Sequence, residues 1–125
     1  MSSSPPVANL LVLRSPDIQR AATFYQALGL HFTLERHGRG AEHFSASIDG
    51  FVFELYPIAT DQAPTTSVRI GFRVNTVDEL IPQLLHLGAV LLTAPHDSDW
   101  GRRAVVQDLD GHTVELLTRS EVRVS

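Results

Sequence analysis

The chain has 125 residues, enough for one domain that buries its own core, and 43% hydrophobic against 19% charged residues excludes disorder outside the tail Met1–Pro6. It contains no cysteine, and all ten of its basic residues are arginine, which excludes disulfide frameworks, thiol nucleophiles, Schiff-base lysines and phosphate-loop lysines. A net charge of -4 with scattered arginines argues against a nucleic-acid partner; with no apolar run near the roughly 18 residues a bilayer crossing needs and no signal-like N-terminus, the expectation is a soluble, cytoplasmic protein without membrane contact.

Leu10 to Arg14 reads as a strand, after which Ser15-Pro16-Asp17 offers an N-cap, a proline at the first helical position and an early acid. Ile18, Ala21, Ala22, Tyr25 and Leu28 recur at helical spacing up to Gly29, so Phe24 and Tyr25 are expected in the core. Three short strands follow over His31 to His37, Glu42 to Ile48 and Phe51 to Tyr56, the last two joined by Asp49-Gly50, a dipeptide suited to a tight hairpin. Beyond a linker, Val68 to Val74 reads as a strand and Thr76-x-x-Glu79 as a capping box. A helix then runs through Leu87 to Gly88, with Pro82 predicting a kink or an irregular first turn. Val90 to Thr93, Arg103 to Gln107 and Thr113 to Thr118 complete the strands, leaving Ala94 to Arg102 as a loop that carries Trp100.

The order is therefore βαβββ, twice, and a repeated signature supports the duplication: Asp49-Gly50-x-x-x-Glu54-Leu55 recurs as Asp110-Gly111-x-x-x-Glu115-Leu116. The expected organisation is a tail over 1–6, a first module over 7–57, a linker over 58–67, a second module over 68–118 and a tail over 119–125. Successive strand residues point to opposite faces, so parity sorts the side chains. Phe44, Ala46, Ile48, Phe51, Phe53, Leu55, Val68, Ile70, Phe72, Val74, Val114 and Leu116 share an apolar face, while His43, Glu54, Tyr56, Arg69, Arg73 and Glu115 lie on the other. That polar face is either the lining of a ligand-holding cup or a set of paired charges on an exposed surface or a dimer seam.

Leu13-Arg14-Ser15-Pro16-Asp17, Phe24-Tyr25-x-x-Leu28-Gly29-Leu30, Phe53-Glu54-Leu55, Trp100-Gly101 and Asp108-Leu109-Asp110-Gly111-His112-x-x-Glu115-Leu116 together carry a resemblance that spans nearly the whole chain. The sequence resembles the vicinal oxygen chelate superfamily, which includes glyoxalase I, bleomycin resistance proteins, fosfomycin resistance enzymes and extradiol dioxygenases. The resemblance implies an α+β fold of two βαβββ modules forming a curved mixed sheet around a cup, helices on the outer face, often completed by dimerisation. In metal-dependent members four equivalent positions supply the ligands, and these fall on Leu10, Glu54, Arg69 and Glu115. Leu10 donates nothing, and a guanidinium about 5 Å from a divalent ion is repelled by roughly 6–7 kcal/mol at an effective dielectric near 20. The expectation is a cup without metal or other cofactor, with Arg69 either bonded to Glu54 or Glu115 or clamping a ligand's carboxylate or phosphate.

Other residues are weighed on the same terms. The six histidines show no i, i+4 or His-x-Glu pair of a ligand motif, so most are expected on the surface; His43 has cup parity, and His112 is structural. Trp100 closes over a bound molecule or packs, Tyr56 stands at the rim, Arg102-Arg103 forms a solvated edge from which one guanidinium can reach the cup mouth, and Asp108 and Asp110 are turn formers. The expected ligand site is His43, Glu54, Tyr56, Arg69, Arg73, Trp100 and Glu115, binding a small organic molecule in a glyoxalase- or bleomycin-resistance-like homodimer. The alternatives are a lyase, isomerase or dioxygenase of the family, either without metal or with a divalent metal held by Glu54, Glu115 and His43, and a dimeric interaction module.

Overall fold

The computed structural model describes residues 4–59 and 61–119, so the tails expected over 1–6 and 119–125 fall partly outside the described residues. The elements run β1 (Leu10–Ser15), α1 (Ile18–Ala27), β2 (Thr33–Glu35), β3 (His43–Ile48), β4 (Phe51–Pro57), β5 (Arg69–Arg73), α2 (Val77–Leu87), β6 (Val90–Ser98), β7 (Gly101–Gln107) and β8 (Thr113–Arg119). They form two four-stranded mixed sheets of identical topology, β1-β4-β3-β2 and β5-β8-β7-β6, the α+β arrangement of two βαβββ units. In each sheet the first strand pairs in parallel with the last, and the remaining pairs are antiparallel. No helix among the described residues is long and apolar enough to cross a membrane.

One hydrophobic core serves both sheets. Tyr25 of α1 packs against Phe53 of β4 at 4.8 Å and Phe72 of β5 at 6.0 Å, and the two phenylalanines meet edge to face at 5.8 Å. Phe24, Tyr25 and Phe53 are fully buried, each contributing about 1.5–3 kcal/mol by leaving water. Parity sorts the strands as their alternation requires: Leu13, Ala46, Phe53, Leu55, Val114 and Leu116 are buried. Ile48 is the exception, 38% exposed, because it pairs with Phe51 across the β3–β4 hairpin, at the sheet's end rather than under a helix.

Several local expectations are corrected. Asp17, not Ser15, is the N-cap of α1: its carboxylate accepts from Arg20 N–H, while the Ser15 hydroxyl accepts from Asp17 N–H one turn earlier. The capping box at Thr76 does not form: Thr76 makes no side-chain cap bond, and the first N–H of α2, that of Val77, is instead accepted by the Thr118 hydroxyl of β8 at 2.9 Å. As expected, α2 runs through Pro82 to Leu87, and its first-turn bond from Leu80 N–H to Thr76 O is long at 3.3 Å. Strand β2 is shorter than its sequence pattern, and β6 is longer: the segment expected as a loop is mostly strand, carried through two register shifts, so Trp100 sits at the tip of a β6–β7 hairpin.

The two Asp-Gly repeats also differ. Asp49 and Gly50, at φ 50° and 81°, make the two-residue hairpin turn that positive φ at both positions allows. Asp110-Gly111 instead lies in a five-residue connection, 108–112, wrapped around the Asp108 carboxylate, which accepts the N–H groups of Asp110, Gly111 and His112, each at 2.9 Å.

Candidate functional site

The polar face of the second sheet is organised around Glu115. In the parallel β5–β8 ladder Glu115 lies beside Gly71 and Arg69 beside Thr113, so Arg69 reaches Glu115 diagonally and donates from Nε to Oε2 at 3.0 Å. Arg103 of β7 pairs with the other oxygen, Oε1. The hydrogen bond from Arg69, reinforced by Arg103, holds the Glu115 carboxyl down at about 2 against the ordinary 4.5, and the same bond raises the Arg69 guanidinium. Gly71 leaves the space above Glu115 free of a side chain. The result is a cavity of about 610 Å³ lined by Arg69, Gly71, Phe72, Arg73, Trp100, Arg103, Glu115, Leu116 and Leu117. Arg73 makes no ion pair among the described residues, and Trp100 is 71% exposed at the rim. Three guanidiniums thus face one carboxylate over an apolar floor.

The neighbouring Arg102 turns the other way, forked onto both oxygens of Asp78 at 3.0 and 3.1 Å and reaching Asp97 at 3.3 Å. Alternation along β7 accounts for the split: of the Arg102-Arg103 pair only Arg103 reaches the cavity.

The polar face of the first sheet carries a second cluster. His43, only 1% exposed, stacks on Tyr56 with ring centroids 4.0 Å apart and planes 8° from parallel, and Arg14 lies over the other ring, 5.0 Å from its centroid. His43 Nδ1 donates to the Ala41 carbonyl at 3.1 Å, while Nε2 lies 3.6 Å from Glu54 Oε2 and 3.7 Å from Glu35 Oε1. His37 Nε2 approaches the same Glu35 oxygen at 3.6 Å. Burial and the Glu54 carboxylate push the Tyr56 phenol up.

Between the modules runs a buried clasp. The Tyr25 hydroxyl donates to Asp108 Oδ2 at 2.6 Å, His112 Nδ1 meets the same oxygen at 2.8 Å, and His112 Nε2 meets the Thr65 hydroxyl at 2.7 Å. Thr65 in turn accepts the Arg14 N–H at 3.0 Å. Burial alone would raise the Asp108 carboxyl, but the bonds from His112 and Tyr25 outweigh it and leave it below its ordinary value. Burial, with Asp108 beside it, raises the Tyr25 phenol far above its ordinary value. Both His112 nitrogens and both Asp108 oxygens are engaged in tying the modules together, and of the cluster Asp108–Asp110–His112, Asp110 Oδ2 is left buried without a partner among the described residues.

The seven residues expected in one site therefore fall into two groups: Arg69, Arg73, Trp100 and Glu115 line the cavity of the second sheet, whereas His43, Glu54 and Tyr56 cluster on the first. Arg69 bonds Glu115 and not Glu54. The trio Glu54, Glu115 and His43 does not gather as a ligand set among the described residues. Glu35 and His37 escaped sequence reasoning, though the spacing Glu35-x-His37 at the end of a strand was their signal. Four of the six histidines, His31, His37, His86 and His96, are exposed as expected, while His43 and His112 are both 1% exposed.

Residues 8–116 match the Glyoxalase/Bleomycin resistance protein/Dioxygenase superfamily. The chain belongs to this superfamily. A curated relative, an uncharacterized protein of Mycolicibacterium smegmatis (strain ATCC 700084 / mc(2)155), is 28% identical over 103 residues, covering 82% of this chain and 85% of its own length. Among solved structures, TnmS3, an antibiotic binding protein from Streptomyces sp. CB03234, superposes with a TM-score of 0.71 at 22% identity over 95% of this chain and all of its own. A glyoxalase-related enzyme from Fulvimarina pelagi superposes with a TM-score of 0.72 at 20% identity, covering 95% of this chain and 92% of that one. These structures share the fold.

The superfamily implies a divalent ion at the positions of Leu10, Glu54, Arg69 and Glu115, and the donor set here does not fit one. Leu10 is an exposed hydrocarbon, and Glu115 already has a guanidinium on each oxygen. An ion there would have to break both pairs and sit beside two positive charges.

Proposed function

We propose that the protein binds a small organic anion in the cup of its second module and that this binding, without chemistry, is its function. The observation that carries the reading is the 610 Å³ cavity in which Arg69, Arg73 and Arg103 face the single carboxylate of Glu115, with Leu117 supplying the apolar side chain of the floor on the same strand face. A guanidinium offers two parallel N–H donors to a carboxylate or phosphate, so Arg73, free of an internal partner among the described residues, takes the ligand's anionic group first. Arg69 and Arg103, each sharing Glu115, supply the surrounding positive field. The apolar floor and Trp100 take the organic body of the ligand. The volume suits a drug-sized molecule, and the antibiotic-binding relative of the same fold supports sequestration as a role for such a cup.

Glu54, His43 and Tyr56 are left outside the anion site in this reading and extend the binding surface only when a second copy brings its first-module face over the open side of the cup. The apolar groups such a homodimer would cover are Leu10 and Trp100, 54% and 71% exposed. The protein would act in the cytoplasm. A panel of aromatic and aliphatic carboxylates and phosphate monoesters, screened by the shift in melting temperature, tests the proposal. Anions that raise the Tm of the parent chain and lose the effect in Arg73→Ala support it; a screen in which no anion acts, or in which Arg73→Ala responds as the parent does, refutes it.

A further inference from the structure

We infer that the first module carries a binding site for a divalent transition cation of the zinc type, held by Glu35, His37 and His43, away from the superfamily's four ligand positions except for the flanking carboxylate of Glu54. The donor atoms of the three residues lie within 4.8 Å of one another. His43 Nε2 to Glu35 Oε1 is 3.7 Å and His37 Nε2 to the same oxygen is 3.6 Å. A tetrahedral ion with bonds of about 2.0–2.1 Å sets its ligand atoms about 3.3–3.4 Å apart, so the two pairs to Glu35 need to close by a few tenths of an ångström and the two imidazole nitrogens, within 4.8 Å of each other, close by rotation of the exposed His37.

The state of His43 is the second, independent observation. A carbonyl oxygen only accepts, so the 3.1 Å contact to Ala41 O makes Nδ1 the donor, and Nε2 is the nitrogen whose lone pair a metal ion would take. Donation from the other ring nitrogen to a carbonyl or carboxylate is how metal-binding imidazoles are oriented. Tyr56 does not satisfy that lone pair. Its ring is stacked on the imidazole face, 8° from parallel, so the hydroxyl 3.3 Å from Nε2 approaches over the ring and not along the in-plane lone-pair axis. The buried Nε2 faces two carboxylates, Glu35 and Glu54 at 3.7 and 3.6 Å, and the three converge on a point that a cation can occupy. Two imidazoles and a carboxylate suit zinc and its neighbours rather than magnesium or calcium, which prefer all-oxygen shells. With His37 mostly exposed, the site is open to entry from solvent, and a fourth position is left for water or a ligand atom.

Titration of the untagged, chelator-washed protein with Zn²⁺ against a competing chromophoric chelator tests this, with Mg²⁺ as control. One zinc per chain is expected, with about 10–100-fold weaker binding in His37→Ala and in Glu35→Gln, variants whose exposed side chains leave the fold intact. Histidine ring NMR signals of His37 and His43 shift on zinc addition, while His112, engaged at both nitrogens, stays put. Absence of stoichiometric zinc, unchanged affinity in both variants, or ring shifts confined to other histidines would overturn the site. The Arg73 experiment reads the other module, so either result leaves the other standing.

Discussion

Replacing Glu115 by glutamine removes the one negative charge from a cavity of three arginines and tests what holds the cup in its empty form. The Glu115 carboxyl sits at about 2 in the folded chain against 4.5 as its ordinary value. Between these values the unfolded chain binds the proton that the folded chain refuses, so the group's stabilisation is fully present above about pH 4.5 and is lost as pH falls through 2. At about 1.4 kcal/mol per pKa unit the shift sets a ceiling of roughly 3 kcal/mol. The Glu115 side chain is 31% exposed and that of Arg69 54% exposed, so screening by solvent reduces the expected contribution to about 1–2 kcal/mol. Urea denaturation of the parent and Glu115→Gln at pH 7, 5, 4 and 3 measures it. The parent should lose stability to the variant's level as pH drops from 5 towards 2, and the gap at pH 7 should shrink in high salt. Equal stability at pH 7 and parallel pH profiles would refute the claim that Arg69 and Arg103 hold Glu115 ionised.

Arg103→Ala should weaken binding of any anion found in the screen about tenfold, by removing one positive charge from the field around the ligand, whereas Arg102→Ala, which breaks the pairs to Asp78 and Asp97 outside the cavity, should leave it within a factor of about 2; isothermal titration distinguishes them. Tyr25→Phe deletes the buried donor to Asp108 and should cost about 1–3 kcal/mol in urea melts with the ligand site unchanged. Thr118→Val should cost about 1 kcal/mol by leaving the first N–H of α2 without its acceptor, and Thr76→Ala nearly nothing, because Thr76 makes no side-chain cap.

Periodicity made the order of elements legible, because period-2 and period-3.6 apolar patterns are enforced by burial on one face. The same parity placed Arg69, Arg73 and Glu115 on one face of one sheet. What stayed hidden depends on contacts between segments distant in sequence. Thr118 accepts the first N–H of α2 from the other end of the second module, a contact that no window around Thr76-x-x-Glu79 contains. Arg102 and Arg103 point to opposite faces by alternation, but that Arg103 meets Glu115 depends on the register of β7 against β8, which pairs Arg103 with Leu117 and Val105 with Glu115. The division of the seven expected residues into two clusters has the same origin: parity says which face a residue occupies but not whether two sheets turn those faces towards one cavity. His43 is buried because Tyr56 covers it from the neighbouring strand, a packing relation that its flanking residues do not record.

The three arginines around Glu115 make the second-module cup select a negative charge. The most direct measurement of that selection is the pair of dissociation constants, at one ionic strength, for the tightest carboxylate found and its isosteric primary amide. The arginine cluster predicts that the carboxylate binds at least tenfold more tightly and that Arg73→Ala removes most of the difference. Equal affinities for the two, or tighter binding of the amide, would contradict it.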